Sequence, residues 1–233
     1  MDIVPVIDLK AGQVVHARGG RRHSYKPIES PLSASSAPAD VVRGLLALHP
    51  FRRLYLADLD AIERRGNHDD TMAALQATFP GIELWVDNGM SDPVAVEEWL
   101  DGDFGYLVLG SESQPDAALL RRVHAHPRVI LSLDFRAEAF QGPAEILADP
   151  GLWPSRMVVM TLSRVGSASG PELPLVEDVV RRAGARRVYA AGGVRNLADL
   201  QALAAVGAAG ALVATALHSG AIGPEEMKKL ARR

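Results

Sequence analysis

Two aspartates in this chain of 233 residues stand where acid–base chemistry would need them, each at the end of a short apolar run. Asp8 follows Ile3–Ile7, and Asp134 follows Val129–Leu133. Two carboxylates on opposite sides of a ligand can remove one proton and donate another. An aspartate after a strand is also a common helix-capping or turn residue, so a structural role for either one stays the alternative.

A pair of glycines predicts an anion site near the end of the chain. Gly192 and Gly193 follow an apolar run and precede a helix that starts near Asn196. Paired glycines let backbone N–H groups approach a phosphate, and the dipole of the next helix adds a partial positive charge. Ala214 and Thr215, after the following apolar run, are predicted to form the other wall of this phosphate site.

The first half of the chain carries an altered version of the same arrangement, with Asp87 close to where a second anion would approach. An ionised carboxylate beside a phosphate costs free energy unless a cation lies between them. Asp87 therefore either contacts an amine or hydroxyl of the ligand or caps the next helix, and the sequence leaves both open. The predicted second half-site comprises Asp58, Asp87, Asn88, Gly89, Gly110 and Ser111.

These groups need strands that end at one common edge, and the chain contains eight short apolar runs separated by amphipathic stretches of helical period. Runs that are apolar on both faces are typical of buried parallel strands. Eight such strand–helix units favour an α/β fold, a closed (β/α)8 TIM barrel. No Gly-x-Gly-x-x-Gly follows an early strand, which argues against an open dinucleotide-binding sheet. The runs end at Asp8, Asp58, Asp87, Gly110, Asp134, Thr161, Ala191 and Ala214.

Similar segments recur in the two halves of the chain. Val6–Lys10 resembles Ser132–Arg136, and two further pairs of segments align at one common offset. We therefore predict a single barrel domain over residues 1–233 with an internal half-barrel repeat, the halves being about 1–126 and 127–233.

The connection between the first two runs is long for a compact barrel, because its helix is predicted only from Ala39 to His49. A loop of the length of Lys10–Pro38 is often a lid over an active site, and a tolerated surface insertion is the alternative. The predicted lid residues are Gly20, Arg21, Arg22, Tyr25 and Lys26.

The composition of the chain argues against several classes of function. A net charge of −3 argues against attraction to nucleic acid or an anionic membrane, and the lack of cysteine excludes thiolate chemistry. No apolar run approaches the roughly 20 residues that span a bilayer, and the first residues do not form a signal peptide. The seven histidines match no metal-ligand spacing, so neither a metal nor a cofactor is expected. We expect a cytoplasmic protein whose partner is a small phosphorylated metabolite, as a monomer or small homo-oligomer.

Together these residues resemble the histidine-biosynthesis barrel family, which includes the phosphoribosylformimino-aminoimidazole-carboxamide ribotide isomerase and a cyclase subunit. The likeness covers nearly the whole chain. Its clearest segments are Val4–Leu9, Asp58–Ala61, Ser132–Arg136 and Ala190–Val194. The Ser-Leu-Asp-x-Arg form of the third segment resembles the isomerase more than the cyclase.

The resemblance implies an Amadori rearrangement, in which an aminoaldose ring opens and a proton leaves C2 to give an aminoketose. It implies that Asp134 protonates the ring oxygen and that Asp8 relays the proton at C2, although which aspartate is acid and which is base stays open. Thr161 would assist after the sixth strand.

The chain also departs from the family. Asp87–Ser91 replaces Gly-Gly-Gly-Ile-Arg, and Arg164–Ser167 replaces Lys-Asp-Gly-Thr. With the long first loop, these changes resemble a divergent branch of methanogens and methylotrophs. An isomerase or lyase/cyclase in the biosynthesis of C1-carrier cofactors, such as tetrahydromethanopterin or methanofuran, is therefore one alternative function. A non-catalytic barrel that binds a phosphometabolite or forms a complex is another.

Overall fold

Eight parallel strands close into a ring, which confirms the predicted (β/α)8 TIM barrel. The computed structural model describes residues 1–167 and 169–231. The strands are β1 (Asp2–Lys10), β2 (Gln13–His16), β3 (Lys26–Pro27), β4 (Arg53–Asp58), β5 (Glu83–Asp87), β6 (Tyr106–Gly110), β7 (Val129–Arg136), β8 (Ala139–Gln141), β9 (Arg156–Thr161), β10 (Arg187–Ala191) and β11 (Gly210–Val213). The ring runs β1-β4-β5-β6-β7-β9-β10-β11, and β11 pairs with β1 to complete it.

Helices surround this ring and bury its outer face. They are α1 (Pro38–Leu48), α2 (Leu59–Ile62), α3 (Asp69–Thr78), α4 (Pro93–Asp101), α5 (Ala118–Val123), α6 (Ala144–Ala148), α7 (Leu173–Ala183), α8 (Leu197–Ala205), α9 (Thr215–His218) and α10 (Pro224–Ala231). Strand residues such as Leu56 and Leu131 pack with helix residues such as Val41 and Leu200 in one large hydrophobic cluster.

The inward-facing residues form a second, separate core, because successive side chains of a strand point to opposite faces. This layer fills the barrel, so the fold encloses packed side chains and not a pore. Toward the C-terminal ends of β1, β5 and β7, the same inward faces continue to Asp8, Asp87 and Asp134. The main residues of the inner layer are Val4, Tyr55, Trp85, Val108, Ile130, Val158, Tyr189 and Leu212.

Aromatic rings and ion pairs close the N-terminal end of the barrel. Trp85 and Tyr189 meet edge to face, with their ring centroids 4.9 Å apart. Asp2 Oδ2 accepts hydrogen bonds from the Arg53 guanidinium at 2.8 Å and from the Tyr189 hydroxyl at 3.0 Å. Glu83 Oε1 accepts from Arg53 Nε at 3.0 Å and from Trp85 Nε1 at 2.7 Å. This network leaves the opposite, C-terminal end as the place where a ligand can enter.

Two hairpins that were not predicted extend the first strand of each half. β1 and β7 run two residues beyond their predicted ends, because each turns back into an antiparallel arm, β2 or β8. Asp8 pairs with Val15 and Asp134 pairs with Gln141, at the same separation along the chain. The matched hairpins support the proposed half-barrel repeat, whose exact boundary stays a prediction.

Candidate active site

The C-terminal ends of the barrel strands surround a cavity of about 350 Å³, a volume suited to a small metabolite. Asp8, Asp87 and Asp134 all lie in its wall. The loops after β10 and β11 and part of the long first loop also line it. The fold thus brings together groups that the sequence scatters along its whole length.

Asp134 is held at the end of β7 by donors on both carboxylate oxygens. The Ser132 hydroxyl donates to Oδ1 at 2.7 Å, and the backbone N–H of Glu112 donates to Oδ2 at 3.1 Å. Only 4% of Asp134 is exposed. Burial raises its pKa to about 7 against the lowering effect of these hydrogen bonds, and the charge of Asp87 raises it further. At neutral pH this carboxyl group can exist in both protonation states.

Asp8, like Asp134, can exist in both protonation states at neutral pH, but its carboxylate is not held by hydrogen bonds from the described residues. Burial raises its pKa to about 7, Arg22 opposes the shift, and Asp87 adds to it. Among the residues that the structure describes, none donates a hydrogen bond to the Asp8 carboxylate. Asp8 and Asp134 therefore suit proton exchange with a ligand, and the ligand itself would complete the contacts of Asp8.

Asp87 faces the cavity, and it does not cap the following helix. The N-cap of α4 is Asp92, whose carboxylate accepts from Val94 N–H at 3.1 Å. The buried Tyr55 hydroxyl instead donates to Asp87 Oδ2 at 2.8 Å. Burial raises the pKa of Asp87 to about 6. Of the two alternatives for this residue, the structure favours contact with a ligand.

Gly89, Gly110 and Ser111 of the predicted second half-site lie against the carboxylates of Asp87 and Asp134 and are not among the residues that line the cavity. Gly89 N–H donates to Asp87 Oδ1 at 3.3 Å, and Ser111 Oγ accepts from Asp134 N–H at 2.9 Å. A Cβ built at Gly110 would lie 3.2 Å from Asp134 Oδ2, which leaves little room for a side chain there. Asn88 accepts from Met90 N–H at 3.2 Å in a local turn. Lining the cavity beside Asp87 are Tyr55 and Glu112, which the sequence did not single out.

Asp58 and Thr161 are not among the residues that line the cavity, and a role for either in the substrate site stays a prediction. Each is buried and lies at the end of a strand, where Ala57 and Met160 occupy the inward-facing positions. The reason is the two-residue period of a strand, which turns adjacent side chains to opposite faces.

The Asp58 carboxylate holds neighbouring backbone in place. Its carboxylate accepts from Ala61 N–H at 3.1 Å and from His68 N–H at 2.7 Å, and it contacts His68 Nδ1 at 2.8 Å. His68 Nε2 in turn accepts from Gly12 N–H at 2.9 Å. This chain of contacts anchors the turn of the β1–β2 hairpin, which follows Asp8.

Part of the long first loop lines the cavity, and its role as a lid stays a prediction. Arg22 forms an ion pair with Glu112, and Lys10 Nζ donates to the Arg22 carbonyl at 2.7 Å. Gly20 and Tyr25 also line the cavity. The two other predicted lid residues, Arg21 and Lys26, are exposed and lie outside the wall.

The predicted phosphate loops line the cavity, with Gly192 and Gly193 after β10 and Ala214 and Thr215 after β11. Both glycines have positive φ, 101° and 85°. A Cβ at Gly192 would lie 2.6 Å from the Thr161 carbonyl oxygen, and one at Gly193 would lie 2.2 Å from that of Gly170. The backbone conformation and the close packing therefore both require glycine at these positions.

Two histidines, His16 and His218, lie in the same part of the wall. Within residues 1–167 and 169–231, no group of three or more His, Asp or Glu is placed to hold a metal ion. No helix in the described part of the chain is long and apolar enough to cross a membrane.

Comparison with known proteins assigns the chain to a family. The family model described as histidine biosynthesis protein matches residues 2–223. A relative from Myxococcus xanthus is 32% identical over 94% of both chains; its name is 1-(5-phosphoribosyl)-5-((5-phosphoribosylamino)methylideneamino)imidazole-4-carboxamide isomerase. A protein of the same name from Gemmatimonas aurantiaca is 30% identical over 95% of both chains. An uncharacterized protein from Methanocaldococcus jannaschii is 27% identical over 97% of both. The match along almost the whole barrel shows that the chain belongs to the histidine biosynthesis protein family.

Proposed function

We propose that this protein is an aldose–ketose isomerase that acts by acid–base catalysis on a phosphorylated sugar amine. One observation carries the proposal: Asp8 and Asp134 line one cavity, and burial raises the pKa of both carboxyl groups to about 7. General acids and bases work best when their pKa lies near the working pH. Relatives along the whole chain bear the name of an isomerase, which agrees with this chemistry.

The two aspartates divide the proton transfers of an Amadori rearrangement. Protonated Asp134 donates to the ring oxygen of the aminoaldose as the C1–O bond breaks, and ionised Asp8 removes the proton from C2. The resulting enaminol becomes the aminoketose when Asp8 gives its proton to C1 and the C2 hydroxyl gives its proton to the ionised Asp134, which leaves a carbonyl at C2. The fixed position of Asp134 between Ser132 and Glu112 suits the group that must meet one atom. The Asp8 carboxylate, to which none of the described residues donates a hydrogen bond, suits the group that carries a proton between two carbons.

The phosphate of the substrate binds at the Gly192–Gly193 and Ala214–Thr215 loops in this proposal. Glycine at positive φ allows their backbone N–H groups to face an anion, and α8 begins four residues after Gly193.

At the opposite half-site we propose that no second phosphate binds. Asp87 and Glu112 line it, and the guanidinium of Arg22 is already paired with Glu112. A phosphate dianion there would face two carboxylates and one neutralised cation. The names of the isomerase relatives include two phosphoribosyl groups, so in this proposal the chain differs from them in the number of phosphates on its substrate.

An isomerase step in the biosynthesis of a C1-carrier cofactor is the second candidate. The altered half-site favours it, together with the uncharacterized methanogen relative that matches 97% of the chain.

A lyase or cyclase would use the same aspartates. A non-catalytic binding barrel is disfavoured, because a structural Asp8 would have donors to its carboxylate. A cytoplasmic location stays a prediction.

Turnover of two substrates tests the proposal directly: the bis-phosphorylated ribotide of the relatives and an N-aryl 5-phosphoribosylamine with one phosphate. We expect ketose formation from the single-phosphate compound and much weaker turnover of the bis-phosphate. Robust growth of a histidine auxotroph complemented with this gene would contradict the single-phosphate proposal and support the histidine-pathway role. Absence of turnover with both compounds would count against the isomerase.

A further inference from the structure

His218 lies at the end of α9, close to the loop that is proposed to bind phosphate. It is 7% exposed and is one of the residues that line the cavity, together with Ala214 and Thr215. Its Nδ1 lies 2.8 Å from the Ser30 hydroxyl of the long first loop. Its Nε2 is buried and has no hydrogen-bond partner among the described residues. Such an atom in a cavity wall points to a missing ligand group.

The Ser30 contact allows His218 to carry its proton on Nε2. Ser30 Oγ accepts a hydrogen bond from Leu32 N–H at 3.1 Å, and its own proton can donate to His218 Nδ1, which lies 2.8 Å away. The ring then carries its proton on Nε2. Nε2–H is therefore a buried donor without an acceptor, which costs free energy until an acceptor arrives.

The surroundings of His218 favour a neutral ring. Burial lowers the pKa of His218 to about 4, and the neighbouring His16 lowers it further. His16 Nε2 itself lies 3.4 Å from Thr215 Oγ1. A hydrogen bond in a site shielded from water is stronger than one at the surface. Glu29, in the long first loop, is a carboxylate that lines the same cavity.

We propose that His218 Nε2–H donates a hydrogen bond to the phosphate at the Gly192–Gly193 and Ala214–Thr215 loops. The inference rests on the phosphate subsite of the proposed function and adds a side-chain ligand to it. Through Ser30, the same ring joins the long first loop to the bound phosphate. His218 is then a specificity residue that links recognition of the phosphate to the position of the loop over the cavity.

Titration with inorganic phosphate, followed by calorimetry, tests this proposal on the intact protein. His218→Gln puts an amide nitrogen near the place of Nε2, whereas His218→Asn keeps only the position of Nδ1. We expect phosphate affinity within about threefold of wild type for the Gln variant and a loss of tenfold or more for the Asn variant. His126→Gln, at the N-terminal end of the barrel, is the matched control and should bind like wild type.

A second measurement does not depend on whether the variants fold. In ¹⁵N-histidine spectra of the wild type, His218 should be the Nε2–H tautomer, and its Nε2 resonance should move when phosphate is added. Equal phosphate affinity of the wild type and the Asn variant, or an unmoved Nε2 resonance, would overturn the role of His218 and leave the glycine loops as the phosphate site. If phosphate does not bind the wild type at all, the phosphate subsite of the proposed function fails as well.

Discussion

Asp134→Asn is expected to remove activity and at the same time to stabilise the protein at alkaline pH. An amide cannot donate the proton that ring opening needs, and loss of a general acid typically costs 10²- to 10⁴-fold in rate. The side chain should still fit its site. Its Oδ1 can accept from Glu112 N–H and its Nδ2 can donate to Ser132 Oγ, because the hydroxyl proton can rotate away.

The gain in stability follows from the cost of the buried charge. Burial raises the pKa of Asp134 from 3.8 to about 7, so above pH 4 the folded state holds a proton that the unfolded chain releases. Each pKa unit corresponds to 1.36 kcal/mol, and the free energy of unfolding of the wild type therefore falls by about 4 kcal/mol as the pH rises to 7. An asparagine does not titrate and avoids this loss. Allowing for imperfect hydrogen bonds, we expect the variant to be about 3 kcal/mol more stable at pH 8 and almost unchanged at pH 4.

Urea unfolding of the wild type and the Asp134→Asn variant at pH 4 and pH 8 checks the predicted gain in stability. Turnover measured on the same samples checks the predicted loss of activity. Asp92→Asn is the matched control, because Asp92 is an exposed helix cap and asparagine also caps helices. It should change neither the activity nor the dependence of stability on pH. Turnover of the Asp134→Asn variant within a few-fold of wild type would refute the acid–base role. A variant that is less stable than wild type at pH 8 would refute the argument from burial.

Three further perturbations test other parts of the site. Asp8→Asn should lower kcat by about 10²-fold or more with ligand affinity nearly unchanged, and a normal pH–rate profile in this variant would contradict its role as a base. Asp87→Gly should raise kcat/KM for the bis-phosphorylated ribotide relative to the single-phosphate substrate by about tenfold or more. The reason is that each removed charge pair relieves about 1–4 kcal/mol of repulsion, and an unchanged ratio would show that Asp87 does not exclude a second phosphate. Asp58→Ala leaves His68 without its buried partner and should lower the free energy of unfolding by about 3 kcal/mol, measured by urea unfolding. A loss below about 1 kcal/mol would show that the anchor of the hairpin is unimportant.

Much of the barrel could be predicted from the sequence, because each strand is a short apolar run with a clear end. Five of the eight predicted ends, at Asp58, Asp87, Gly110, Thr161 and Ala191, coincide with the ends of strands in the structure. The glycine pair was also readable, since only glycine tolerates a close backbone approach at positive φ. The ends of the first and fifth runs were missed, because nothing in an apolar run shows that it continues into a hairpin.

The inward or outward direction of a side chain was harder to predict. A strand with one solvated face alternates between apolar and polar residues, but these strands are buried on both faces and give no such pattern. Asp58 and Asp87 therefore read alike in the sequence, although one faces the helices and the other faces the cavity. The same ambiguity affected Thr161.

The chain by itself determined the fold class, the opposed pair Asp8 and Asp134, and the position of the glycine loops, because local periodicity and backbone sterics act over a few residues. Only the tertiary structure decided the partners of these groups. The Arg22–Glu112 ion pair and the Ser30–His218 contact join residues that are distant in sequence. Closure of the ring brings such residues together and removes water from the aspartates, and this burial raises their pKa to about 7.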